Sequence, residues 1–320
     1  MHKSIVLSEA LSIPKKINNF ILNDTNKYEE ISKLILDKKI KYIVTVARGT
    51  SDCAALYASY MFAKHLGLPT YSMPPSIITL EKSKFDFSSA LILIISQSGM
   101  SEDLIECENM SKLMGATTIL ISNNEKSPII NNCNHFFNIN AGEEKSVAAT
   151  KTFIMSLLII IKIIYKSLGK NIDKEVEVFS NNLIEDSNNQ WDSNIINKSI
   201  ETGFIISRGV GYAIANEMSL KFKELCQEMI EPFSSAEVMH GPKSLIQDSF
   251  KIFMLSMNDK SGLSVIKDSK EITNYTKLIY NISSIDNNNF YYTPNKISEL
   301  DSITIMSKFY PWIVRYANKK

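Results

Sequence analysis

The chain has 320 residues, a formal net charge of +1 and 44% hydrophobic residues. That length favours two globular domains, and 22% charged residues with no basic arm or tail argue against a nucleic-acid surface. Cys53, Cys107, Cys133 and Cys226 form no CxxC pair and no Cys/His cluster at zinc spacing, so they read as reduced, mostly buried thiols with no metal to hold.

The opening MHKSIVLSEALSIPKKINNF lacks the apolar core of a signal peptide. The greasiest stretch, Phe153 to Tyr165, is too short to span a bilayer and is interrupted by Lys162, so a buried helix is expected. Together these features predict a cytoplasmic protein with no membrane partner.

Helical periodicity covers Tyr28 to Leu36. A β-rich run, Tyr42 to Ala47, then ends at Arg48-Gly49-Thr50-Ser51-Asp52, and a helix from Cys53 to His65 stops at Gly67. The same unit recurs. Ala90 to Ile95 is continuously apolar, as in a strand buried on both faces. It ends at Ser96-Gln97-Ser98-Gly99-Met100-Ser101, and a helix begins near Glu102. Thr117 to Ile121 and His135 to Ile139 are further strands. Strands alternating with helices predict an α/β fold with a parallel, doubly wound sheet.

An Asn-rich stretch, Gly169 to Asn197, carries a crossover helix, and the pattern then restarts. Thr202 to Ile206 is a strand ending at Ser207-Arg208-Gly209-Val210-Gly211. A helix follows from Ala213 to about Gln227, Phe250 to Met257 is another strand, and a last helix runs from about Lys296 to Tyr316. The repeated Arg-Gly turn reads as a duplication, with domains at 1–170 and 171–320.

In parallel sheets ligands bind beyond the carboxyl ends of the strands. Thr50-Ser51 and Ser96-Gln97-Ser98 stand at two such ends, where helix N-termini offer amides and a favourable dipole to an anion. A phosphate suits them; helix capping by the same residue types is the competing explanation. Gly209-Val210-Gly211 lacks the third glycine of a dinucleotide loop, and no Walker-type loop exists, so no nucleotide cofactor is expected. Small residues of the run Glu143 to Lys151 suggest a backbone wall against a ligand. Glu217, Lys221 and Glu224 share one helix face, either as a solvated ion-pair stripe or as a charge row near a buried surface. His240, followed by Gly241-Pro242, is placed for acid–base work or for a structural role.

Taken in order, RGTSD, SQSGMS, SVAATK, EMSLKFKE and SAEVMHGP closely resemble the sugar isomerase (SIS) family over about residues 40 to 250. More narrowly the chain is similar to double-SIS proteins related to the isomerase half of glucosamine-6-phosphate synthase. VARGTSD and EEKSVAATKTF are most similar to SIS-type glucosamine-6-phosphate deaminases. The resemblance implies two SIS domains, each a flavodoxin-like parallel sheet flanked by helices. It implies that Thr50, Ser96, Gln97, Ser98 and Ser101 hold a hexose phosphate beside Arg48 and Gly49. Ser51 would lie near the sugar hydroxyls, Val147 and Ala148 would offer backbone, and Glu237 would line the site. Glu224 would be the base, Lys221 its catalytic companion and His240 the ring-opening group.

In the family that histidine comes from a neighbouring subunit, which implies a homodimer with a shared cleft between SIS units. No metal or redox cofactor is implied. Glucosamine 6-phosphate would become fructose 6-phosphate and ammonia. The alternatives are a deglycase or deaminase/isomerase on another amino-sugar phosphate, and a non-catalytic sugar-phosphate sensor.

The departures are specific. Arg48 replaces a small or sulfur-bearing residue of the synthases, and Met100-Ser101 replaces a Glu-Thr pair. The Lys-bearing tail and the glutaminase domain of the synthases have no counterpart here, which counts against a synthase-like role.

Overall fold

A computed structural model describes residues 2–20, 25–37, 39–196, 199–285 and 289–319. Residue 197 of the expected crossover stretch and residues 286–288 lie outside them. The chain forms two compact units, each discontinuous in sequence: Lys16–Glu144 with Lys151–Val176, and Met1–Lys15 with Lys145–Thr150 and Glu177–Lys320. The sequence reading cuts the chain once, between 170 and 171. In the observed units residues 1–15 and 145–150 join the C-terminal half and the main cut falls after Val176; the first of these segments goes there because the helix His2–Leu11 packs against the helix Asp301–Ala317.

The unit holding residues 16–144 is built on β1 (Tyr42–Val46), β2 (Thr70–Ser72), β3 (Ala90–Ser96), β4 (Thr117–Ser122) and β5 (His135–Asn138). All are parallel, in the order β2-β1-β3-β4-β5. Every residue of β3 is buried, which is why its sequence shows no alternation. The helix Thr50–Leu66 ends at Gly67, whose amide returns to the Ala63 carbonyl. It packs, with the helix Thr25–Leu36, on the greasy helix Lys151–Ser167. Lys162, which interrupts that greasy run, is buried with its Nζ 3.0 Å from Asp173 and 5.0 Å from the Tyr28 ring centre. No helix among the described residues is long and apolar enough to cross a membrane.

The other unit contains β6 (Thr202–Ser207), β7 (Met229–Ser234), β8 (Lys251–Leu255), β9 (Ile279–Ser283) and β10 (Phe290–Tyr291), again all parallel, in the order β10-β9-β8-β6-β7. Read from the other edge this is the same flavodoxin-like order as the first sheet. The duplication inferred from the Arg-Gly turns is therefore a repeated topology. Its core joins Phe222, Phe253, Phe290, Phe309 and Trp312, with ring centres 5.0 to 6.3 Å apart.

Three details differ from the sequence reading. The helix expected over 213–227 is an α-helix only over Val210–Lys221 and continues as a π turn, Phe222–Cys226. The polar, Asn/Tyr-rich run Asn281 to Asn295, to which the sequence assigns no strand, supplies the end of β9 and all of β10. The last helix starts at Asp301, after a single 3-10 turn. All four cysteines are free.

Candidate functional site

In the first sheet, β1 and β3 are neighbours whose connections leave in opposite directions, the switch point where α/β sheets take ligands. Val46 pairs with Ile94, so the loops after both strands open side by side. The β1 loop supplies Arg48, Gly49, Thr50 and Ser51; the β3 loop supplies Ser96, Gln97, Ser98 and Ser101. Each leads directly into a helix, Thr50–Leu66 and Glu102–Leu113. Arg48 pairs with Asp103 and so ties one loop to the start of the other helix.

Capping, the competing explanation for these hydroxyls, can be judged on geometry. Ser101 occupies the N-cap of its helix yet makes no side-chain capping bond, and the other N-cap is Gly49, which has no side chain. The β3 loop is instead stapled internally. Gly99 N donates to Ser96 Oγ at 3.1 Å, Met100 N donates to Ser98 Oγ at 3.3 Å, and Asn124 Nδ2 donates to the Ser98 carbonyl at 2.7 Å. A loop stapled in this way, with helix amides behind it, would form a cradle suited to an anion.

The second sheet tests how special this cradle is. Gly209 stands where Gly49 does, with φ 60° and ψ −137° against 58° and −132°. Around Gly49 nothing lies within 4 Å of where a Cβ would be, whereas at Gly209 the Ser261 Oγ would lie 2.4 Å from it. The two turns share a backbone conformation, but Ser261 packs against Gly209 while the space beside Gly49 is open.

Gly99 yields a stability prediction. Its φ is +60°, and a Cβ there would lie 2.4 Å from Ser127 Oγ and 2.6 Å from Ser127 Cβ, while that hydroxyl donates to the Gly99 carbonyl at 2.6 Å. Gly169 has a similar φ, +71°, in open space. Urea unfolding should show Gly99→Ala destabilised by about 1–3 kcal/mol more than Gly169→Ala, the overpacking cost added to a shared backbone strain.

The residues expected to do acid–base work lie in the other unit. Lys221 is completely buried at the end of the helix Val210–Lys221, and its Nζ lies 3.2 Å from Glu217 Oε1 and 2.7 Å from Glu224 Oε2. The expected Glu-Lys-Glu face is thus an ion cluster at a buried surface, not a solvated stripe. Burial opposes the charge on Lys221, but Glu217 and Glu224 overcome it and hold the ammonium above its usual range. Burial also pushes the Glu217 carboxyl up, against the pull of Lys221 and of a hydrogen bond from Tyr310. Glu224 differs: it sits on the π turn and keeps 28% of its side-chain surface open. π turns inserted in α-helices often mark functional positions. This one carries the exposed carboxylate away from the buried ones.

His240 is exposed, just after the short helix Ser235–Val238, with its amide bonded to the Glu237 carbonyl at 3.0 Å. Glu237 is exposed as well. Among the described contacts His240 makes no hydrogen bond to the Glu217–Lys221–Glu224 cluster. Val147 is 83% exposed, whereas Ala148, the other residue of the expected backbone wall, is buried. Sequence reasoning missed Glu9, whose carboxylate accepts from Lys145 N at 2.7 Å and from the Ser146 hydroxyl, bracing that wall. It also missed Tyr310. Neither has a local signal, since their partners lie 136 and 93 residues away.

Two parallel five-stranded sheets flanked by helices match the SIS fold of solved phosphosugar isomerase structures. Residues 36–162 match the SIS domain family. The chain thus carries an SIS domain and has homology to glutamine–fructose-6-phosphate aminotransferases, such as that of Methanococcus maripaludis: 30% identity over 301 residues, 90% of this chain and 49% of that protein. The chain spans about half the length of the curated relatives it matches. Among solved structures, a candidate phosphosugar isomerase from Silicibacter pomeroyi is 25% identical with a TM-score of 0.86, covering 98% of both chains. Glucosamine-6-phosphate deaminase from Thermotoga maritima shares the fold at 19% identity and a TM-score of 0.77, covering 97% of this chain and 94% of that one.

Proposed function

We propose that this protein is a sugar-phosphate isomerase that deaminates glucosamine 6-phosphate to fructose 6-phosphate and ammonia. The observation that carries the reading is the Lys221–Glu224 pair: a solvent-reachable carboxylate oriented at 2.7 Å by a buried ammonium is suited to move a proton between adjacent carbons. The homology to enzymes named for fructose 6-phosphate and the fold shared with a glucosamine-6-phosphate deaminase support the same substrate class.

In this reading Thr50, Ser96, Gln97, Ser98 and Ser101 hold the phosphate with the two helix N-termini, and Ser51 lies near the sugar hydroxyls. His240 moves the O1 proton to O5 and opens the ring to the C1 aldehyde. Glu224 takes the proton from C2 as O1 gains one, giving an enolamine, and returns it to C1 as the nitrogen gives up a proton, leaving a ketimine at C2. Water adds to that carbon and ammonia leaves, so substrate plus water balances fructose 6-phosphate plus ammonia. Lys221, fully buried, acts through Glu224. The chain works as a homodimer in which His240 serves the neighbouring protomer; sedimentation at micromolar concentration should give a dimer mass, and a monomer there overturns that arrangement.

Purified protein given glucosamine 6-phosphate should release ammonia and fructose 6-phosphate in equal amounts. Turnover of fructosamine or galactosamine 6-phosphate alone would move the activity to another amino-sugar phosphate. Binding without turnover of any of the three would make the protein a sensor.

A further inference from the structure

The Glu217–Lys221–Glu224 cluster continues one residue further than the proposed chemistry uses. Tyr310, on the helix Asp301–Ala317, is completely buried, and its hydroxyl donates to Glu217 Oε1 at 2.9 Å. Lys221 lies 3.2 Å from that same oxygen, while Glu217 Oε2 is buried with no hydrogen-bond partner. Glu217 could therefore offer Lys221 two oxygens but presents one, already shared. The lysine sits closer to its other partner, Glu224 Oε2, at 2.7 Å.

We propose that Tyr310 is a positioning residue for the acid–base carboxylate. By occupying Glu217 Oε1 it fixes the rotation of that carboxylate and weakens its hold on Lys221. The ammonium is thereby left to orient Glu224. A buried acceptor shared between two donors interacts less strongly with each, and a carboxylate freed from one donor turns both oxygens to the remaining cation. The inference deepens the proposed function, since it assigns the last helix a part in the placement of Glu224.

Tyr310→Phe removes the hydroxyl and keeps the ring, so the aromatic packing with Phe309 is retained. With glucosamine 6-phosphate, kcat should fall about tenfold while KM stays within about twofold, because a fully buried phenol touches no substrate. In a Glu217→Gln background the same change should have no further effect on kcat, since Tyr310 acts only through Glu217. A merely structural tyrosine would lower the active fraction and multiply independently with Glu217→Gln; either result overturns the proposal.

A crystal structure of Tyr310→Phe decides the point without any turnover. Lys221 Nζ should move closer to Glu217 than to Glu224, and an unchanged 2.7 Å contact to Glu224 would refute the positioning role. If the wild-type protein turns over no amino-sugar phosphate, the functional reading falls, and this structural comparison still judges Tyr310 by itself.

Discussion

Glu224→Gln should reduce turnover of glucosamine 6-phosphate by a factor of about 10³ or more while leaving binding of the phosphosugar within a fewfold of wild type. The amide has the size of the carboxylate, and its oxygen can still accept from Lys221. The π turn and the buried cluster should therefore persist. What is lost is the ability to accept a proton from C2. Calorimetric titration with glucosamine 6-phosphate measures the binding arm, and ammonia release measures the other. Substantial turnover by the variant would remove Glu224 from the chemistry. Loss of binding together with turnover would place Glu224 among the groups that hold the substrate.

Lys221→Met should cost about 3–5 kcal/mol of folding stability, measured by urea unfolding. Lys221 and Glu217 are both completely buried, and removing the ammonium leaves the Glu217 carboxylate in the interior with the Tyr310 hydroxyl as its remaining partner. Methionine fills most of the same volume, so the loss reports the uncompensated charge and not a cavity. Adding Glu217→Gln should recover part of it, because a neutral amide is far cheaper to bury than an unpaired carboxylate. A loss under about 1 kcal/mol for Lys221→Met would mean that water enters the cluster freely, since exposed ion pairs are worth no more than that.

These two predictions stand on opposite sides of what can be read from a sequence. The loops at 48–51 and 96–101 are legible because everything that makes them is local: an apolar strand, small hydroxyl residues, a glycine and the start of a helix. The Glu217, Lys221, Glu224 face is legible for the same reason, since spacings of four and three residues put side chains on one helical face. Periodicity says which residues align, however, not what covers them, so a solvated stripe and a buried cluster look alike. Short edge strands escape as well. Thr70–Ser72 and Phe290–Tyr291 have too few residues to show a pattern, and they become strands because a neighbouring strand offers them a parallel partner.

The Arg-Gly turns draw the line most clearly. In sequence Arg48-Gly49 and Arg208-Gly209 are the same signal, and their glycine dihedrals agree within a few degrees. Ser261, 52 residues beyond Gly209, fills one turn, while the other stays open. By itself the sequence determined the α/β class, the repeated strand-turn-helix units and the residue types at the strand ends, because these follow from short-range periodicity and backbone chemistry. Only the tertiary structure decided which turn has a side chain packed against its glycine, that Lys221 is buried between two carboxylates, and that Glu9 and Tyr310 brace the expected site residues. Those outcomes depend on side chains brought together from distant parts of the chain, whose pairing has no local period to betray it.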